Sequence, residues 1–260
     1  MFRDKRRRFV VGTIVLTLIL LTINFLQDRL QKFIGIGLLG LVSFFLFWWS
    51  CREGLKTRIS FIILVLPVYY SVGTALFWFL LPNSWVVVSV ASIIYLSSIY
   101  ILFLTSNVFS VSYTKTIALY RAARGVGFLL TLVTYFLVLD AIISLRMSYP
   151  LVGISVLFVT FLLFLQGFWV TTLQKSMDSK LLLSALVSSL LQGQVSVILF
   201  FWPVSVTVGS LFLTILFYIL LGLGQSDMEG RLFSQTVKEY LMVGAVVFLV
   251  MLISTSWTGY

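Results

Sequence analysis

A chain of 260 residues with 60% hydrophobic and 10% charged residues carries less than half the charge expected of a soluble domain, so most of its surface is unsuited to water. It has no histidine and a single cysteine, Cys51, which excludes an internal disulfide and leaves no Cys/His set for a metal; neither metal nor cofactor is expected. The net charge of +10 sits in short clusters between apolar runs, which speaks against nucleic acid and for contacts with membrane lipids, including anionic headgroups on the inner face.

The apolar runs are continuous and about twenty residues long, as a helix crossing ~30 Å of hydrocarbon requires, and they lack the alternation of barrel strands. The first follows Arg3-Asp4-Lys5-Arg6-Arg7-Arg8 and covers residues 9–26. It resembles the start of a secretory signal, but residues 24–29 offer no small-residue cleavage site, so it is expected to be an uncleaved span. Further spans are expected over 33–50, 59–81, 85–104, 125–145, 151–173, 181–202, 204–223 and 240–257. The fold class is therefore all-α, a polytopic transmembrane bundle of about nine spans forming one membrane domain. A bacterial cytoplasmic membrane is its expected location.

Orientation follows the preference of basic residues for the inner side of short loops. With the N-terminus inside, the inner segments hold Arg3, Lys5, Arg6, Arg7, Arg8, Arg52, Lys56, Arg58, Lys115, Arg121, Arg124, Lys175, Lys180, Arg231 and Lys238. The outer segments hold Arg29, Lys32 and Arg146, and the C-terminus lies outside. Pro82 and Pro203 mark two short outer turns, and Trp85, Tyr149, Trp202 and Trp257 are expected to form an aromatic belt there.

On the inner side, Ser226-Asp227-Met228-Glu229 has capping-box spacing. Leu232, Phe233, Val237, Tyr240 and Leu241 then share a helical face opposite Gln235, Lys238 and Glu239, which predicts a short interfacial helix before the ninth span. Residues 107–124 suggest a second, less regular one. The two stretches give a weak internal repeat over 56–145 and 175–257.

Ionisable and polar residues within spans are the candidates for function. Asp140 lies toward the outer end of the fifth span and reads first as an interfacial aspartate bonded to Ser144 or to an amine such as Arg146; a cation or proton site is the alternative. In the seventh span Ser184, Ser188, Gln192 and Ser196 recur every four residues beside the small row Ala185, Ser189 and Gly193. Gln192 and Gln194, two residues apart, point to nearly opposite faces, so this span is expected to be central in the bundle, with helix packing favoured over substrate binding. Arg121 and Arg124 share a face and are candidates to grip a lipid phosphate, although topology alone also calls for them.

No Walker loop, zinc-protease motif, nucleophile elbow or Asp-rich motif occurs. Without paired carboxylates or a nucleophile with its base, an enzyme is not expected. The expectation is a scaffold, assembly factor or complex subunit, with a protein partner or a second copy; the alternative is a transporter or lipid-handling protein.

Overall fold

The computed structural model describes residues 2–52, 58–82, 84–112, 119–173 and 178–255. Among these, nine helices are long and apolar enough to cross a membrane, with no strand. They are α1 (Phe2–Phe25), α2 (Arg29–Cys51), α3 (Val65–Trp78), α4 (Trp85–Ser112), α5 (Tyr120–Ser144), α6 (Tyr149–Thr172), α7 (Ser179–Phe200), α8 (Val206–Met228) and α9 (Ser234–Ile253). A 3-10 stretch, Arg58–Leu64, runs into α3 and completes that span. Pro67 explains this tightened entry: it has no amide proton for the carbonyl of Ile63, so the regular ladder begins only around it. Trp257, Tyr260, Lys56, Lys115 and Lys175 lie outside the described residues.

Packing divides the chain within α5 into two compact units, Met1–Val138 and Leu139–Tyr260. In the first, α2 packs on α1 and α3, and α4 packs on α1. Its core includes Phe103, stacked on Phe47 at a centroid distance of 3.8 Å and on Phe9 at 5.6 Å. A fully buried chain of hydroxyls ties three helices together. Tyr95 of α4 donates to Ser71 of α3 at 3.1 Å, Ser71 donates to Ser43 of α2 at 3.2 Å, and Ser43 donates to the Pro67 carbonyl at 3.4 Å. Each oxygen in it is satisfied, as buried polar groups in hydrocarbon must be.

The second unit is built around α6, the helix with the largest buried share, which packs on both α7 and α8. Close approach comes from glycines. A Cβ on Gly193 of α7 would lie 3.2 Å from the Gly153 carbonyl oxygen of α6, and a Cβ on Gly167 would lie 2.6 Å from Leu221 of α8. This corrects the expectation that the seventh span is central. One face of α7 is buried on α6 and α8 through Leu181, Ala185, Ser189, Gln192, Gly193 and Ser196, while Leu183, Leu186, Val187, Leu190, Leu191, Gln194 and Ile198 are exposed. The helix has one packed side, so only one of its two glutamines meets protein.

A second correction concerns the C-terminal end of α8. No separate interfacial helix forms; Ser226, Asp227 and Met228 are the last turn of α8, and α9 runs unbroken from Ser234. The Ser226 hydroxyl donates back to the Gly222 carbonyl at 2.9 Å instead of capping a new helix, and Asp227 pairs with Lys180 of α7 at 2.8 Å. Gly230, at φ 67, supplies the left-handed turn that lets the chain reverse within a few residues. Likewise, Asn107–Ser112 extends α4 and does not begin a new element; 113–118 lies outside the described residues.

Candidate functional site

The polar side chains of the second unit gather at two depths. Toward one end, Asp140 lies four residues before the end of α5, Ser196 four before the end of α7, and Ser210 four after the start of α8. At 1.5 Å per residue each is about 6 Å in from its helix end. Asp140 is only 4% exposed, and its carboxyl lies within side-chain hydrogen-bonding reach of Ser210. The Ser210 hydroxyl donates its own proton to the Val206 carbonyl at 2.9 Å, and the Asp140 Oδ1 is buried with no partner among the described residues. The expected bond to Ser144 or Arg146 does not form.

Above this level the ends of α5, α6, α7 and α8 enclose a cavity of about 290 Å³. Ile143, one turn above Asp140, and Gly209, next to Ser210, line it together with Ser196, Ser205, Trp202 and Arg146. Arg146 is held at the rim by a left-handed backbone, φ 49, and its side chain is exposed. Ser205 caps α8 by accepting from the Val208 amide at 3.4 Å, so the amide-rich start of that helix borders the same space. Trp202 is steadied by its ring N–H, which donates to Thr255 after α9 at 3.0 Å. Tyr149, at the start of α6, meets Phe201 and Phe200, at the end of α7, with tilted rings at 5.6 and 6.3 Å. Trp85 is exposed at the start of α4.

Deeper in, Gln192 is fully buried and its amide nitrogen donates to the Leu213 carbonyl of α8 at 3.3 Å. Gln194 is exposed on the opposite side of α7, Ser188 is half-buried at the edge of the packed face, and the Ser196 hydroxyl donates to the Gly193 carbonyl at 2.7 Å. The structure thus brings Ser196 to the cavity above Asp140 and keeps Gln192, Gln194 and Ser188 apart from it. Arg121 is exposed and Arg124 half-buried beside Tyr120, at the opposite end of α5 from Asp140 and in the other compact unit.

Over residues 29–254 the chain matches a protein family of unknown function, DUF5656. The chain belongs to this family. The matched region runs from the first residue of α2 to the cap of α9 and so contains Asp140, the cavity and both glutamines of α7. No curated protein and no solved structure matches the chain.

Two polar features escaped sequence reasoning. Gln166 of α6 is buried with its carbonyl oxygen unpartnered among the described residues, and Gln225 of α8 donates to the Gly167 carbonyl at 3.1 Å. Both lie toward the ends of their helices, Gln166 near the C-terminal end of α6 and Gln225 near that of α8, where a polar residue looks like a helix terminus; each falls inside or beside an expected span, and that position was their signal. The Tyr95–Ser71–Ser43 chain joins residues 24 and 28 apart, and no spacing along one helix announces it.

Proposed function

We propose that this protein is a multi-pass integral membrane protein with no catalytic chemistry of its own, acting as a scaffold or complex subunit whose first partner is a second copy of itself. It crosses the bilayer nine times, N-terminus inside and C-terminus outside. The distribution of lysine and arginine between alternate loops supports that threading.

The observation that carries self-association is the exposed Gln194. It lies about 7 Å from the midpoint of α7 at 1.5 Å per residue, inside the hydrocarbon layer of a spanning helix. A primary amide left unpaired there costs several kcal/mol. The flanking exposed residues Leu183, Leu186, Leu190 and Ile198 follow the three- and four-residue steps of a helix–helix seam. An amide donates and accepts at once, so two α7 helices related by a two-fold axis satisfy each other's Gln194 at the same depth, as a single polar residue does within an apolar coiled-coil seam.

Native mass spectrometry from mild detergent tests this reading. The parent protein is expected as a dimer and Gln194→Leu as a folded monomer. A parent that is monomeric with no bound chain removes the proposal.

A further inference from the structure

The first unit has a cavity of its own, about 130 Å³, where the ends of α1, α2 and α3 meet. Most of its wall is apolar: Leu20 and Ile23 come from α1, Ala75 and Trp78 from α3, and all four are buried. Two polar side chains break that wall. Asn24 stands one residue before the end of α1 and Lys32 three residues after the start of α2, and both are half-buried.

Neither finds a polar partner within the protein. Lys32 forms no ion pair among the described residues, although Asp28 lies only four residues earlier. A lysine this close to a helix end has the reach to extend into water. Here it lines the cavity instead, with its ammonium over the Phe79 ring at 5.2 Å, and that ring is itself stacked on Phe33 of α2 at 5.9 Å. The Asn24 side chain makes no hydrogen bond among the described residues. An ammonium carries three donors and a ring face occupies one side of it, so donors remain for an acceptor; the amide of Asn24 adds two more.

An oxyanion satisfies both groups at once. A half-buried cation between apolar walls favours a negative partner, and charge-assisted bonds to phosphate oxygens are the strong kind. One ammonium beside a neutral amide matches the single negative charge of a phosphodiester. Size agrees with this, since whole-ligand sites begin near ~300 Å³ and the smaller space takes one group while the rest of the molecule stays outside. Depth agrees too: both residues lie within about 5 Å of a helix end, where headgroups meet hydrocarbon.

We infer that this cavity binds a phosphate oxyanion between Lys32 and Asn24, supplied by the headgroup of an anionic phospholipid or by free phosphate. No bond is made or broken in binding. With the N-terminus inside, this end of the helices meets the outer leaflet. The cavity lies wholly in the first unit and Gln194 in the second, so this inference and self-association can fail separately.

The test is native mass spectrometry of the full-length protein, released from phosphatidylglycerol nanodiscs or held in lipid-free detergent with inorganic phosphate. A retained phosphatidylglycerol that excess phosphate does not displace assigns the lipid; a phosphate adduct that displaces the lipid assigns the free ion. Lys32→Gln should weaken retention about tenfold. Arg29→Gln, at an exposed residue of the same helix end that does not line the cavity, should weaken it no more than about twofold. Asn24→Asp sets a carboxylate beside Lys32, so the protein's own ion pair should fill the site: retention falls about tenfold or more while Tm holds or rises. This variant keeps the test decisive even where Lys32→Gln fails to fold. Equal weakening by Lys32→Gln and Arg29→Gln would reveal only diffuse attraction to a basic end and overturns the inference. So does an Asn24→Asp protein that retains the probe as the parent does, or a parent that retains neither probe.

Discussion

Gln192→Leu and Gln194→Leu make the same chemical change two residues apart on α7 and should have opposite consequences. Gln192 donates to the Leu213 carbonyl at 3.3 Å from a fully buried position. Leucine removes that donor, but the Leu213 carbonyl lies within α8, where the helical ladder still offers it an amide, so no bare acceptor is created. The loss is then that of one net hydrogen bond, ~0.5 to 1.5 kcal/mol, with membrane helix contacts averaging toward the lower figure. The branched leucine must also fit beside Gly193, whose backbone already approaches Gly153, and misfit of this kind adds ~1 kcal/mol. A total near 2 kcal/mol corresponds to a fall in Tm of roughly 4 to 8 °C for a chain of this size. At Gln194 the exposed amide gives way to a side chain that suits lipid, so Tm should hold or rise while the dimer is lost. Thermal denaturation in one detergent, with stoichiometry measured on the same samples, reads both effects. Were Gln192→Leu as stable as the parent and Gln194→Leu destabilised as a monomer, the assignment of packed and exposed faces would be refuted.

The hydroxyl chain of the first unit makes a graded prediction. Tyr95→Phe removes one donor and should cost ~1 kcal/mol, whereas Ser71→Ala strands the Tyr95 hydroxyl and should cost more, ~1 to 3 kcal/mol; equal melting temperatures would deny the chain a role. At the α6–α7 crossing, Gly193→Val adds branched carbons where a Cβ already stands 3.2 Å from a backbone oxygen and 3.3 Å from Leu157, and should cost ~1 to 3 kcal/mol. Gly193→Ala should be milder, because its better helix propensity offsets part of the crowding; identical stability of the two variants would contradict the close approach. For the threading, a reporter fused after Leu173 should read cytoplasmic and one fused after Tyr260 external, and a cytoplasmic C-terminus would remove the nine-span topology.

The spans were legible because their cause is local. Each helix carries its own apolar run, and expected and observed elements overlap for all nine. Ends were harder. Ser226-Asp227-Met228-Glu229 has the residues of a helix start, yet Lys180 on another helix meets Asp227 and α8 runs on to Met228. A capping pattern in sequence does not include that distant cation.

The two faces of α7 were legible from the spacing of Gln192 and Gln194, but the place of the helix in its unit was not. α6 is central, and it is almost uniformly apolar; Gly153 and Gly167 are its contact points, and a glycine in an apolar run does not say which neighbour it meets. The burial of Asp140 within an apolar helix was readable, whereas its company was not. Ser196, Gly209 and Arg146 come from separate helix ends, and only folding brings them to one cavity, as it brings Ser210 of α8 to Asp140.

The central claim is that α7 meets its own copy at Gln194. Gln194→Cys on a Cys51→Ser background, oxidised in native membranes, tests it most directly, with Gln192→Cys on the same background as the buried control. The account predicts a cross-linked dimer from position 194 and none from position 192. Absence of a dimer from 194, or equal cross-linking from both positions, would contradict it.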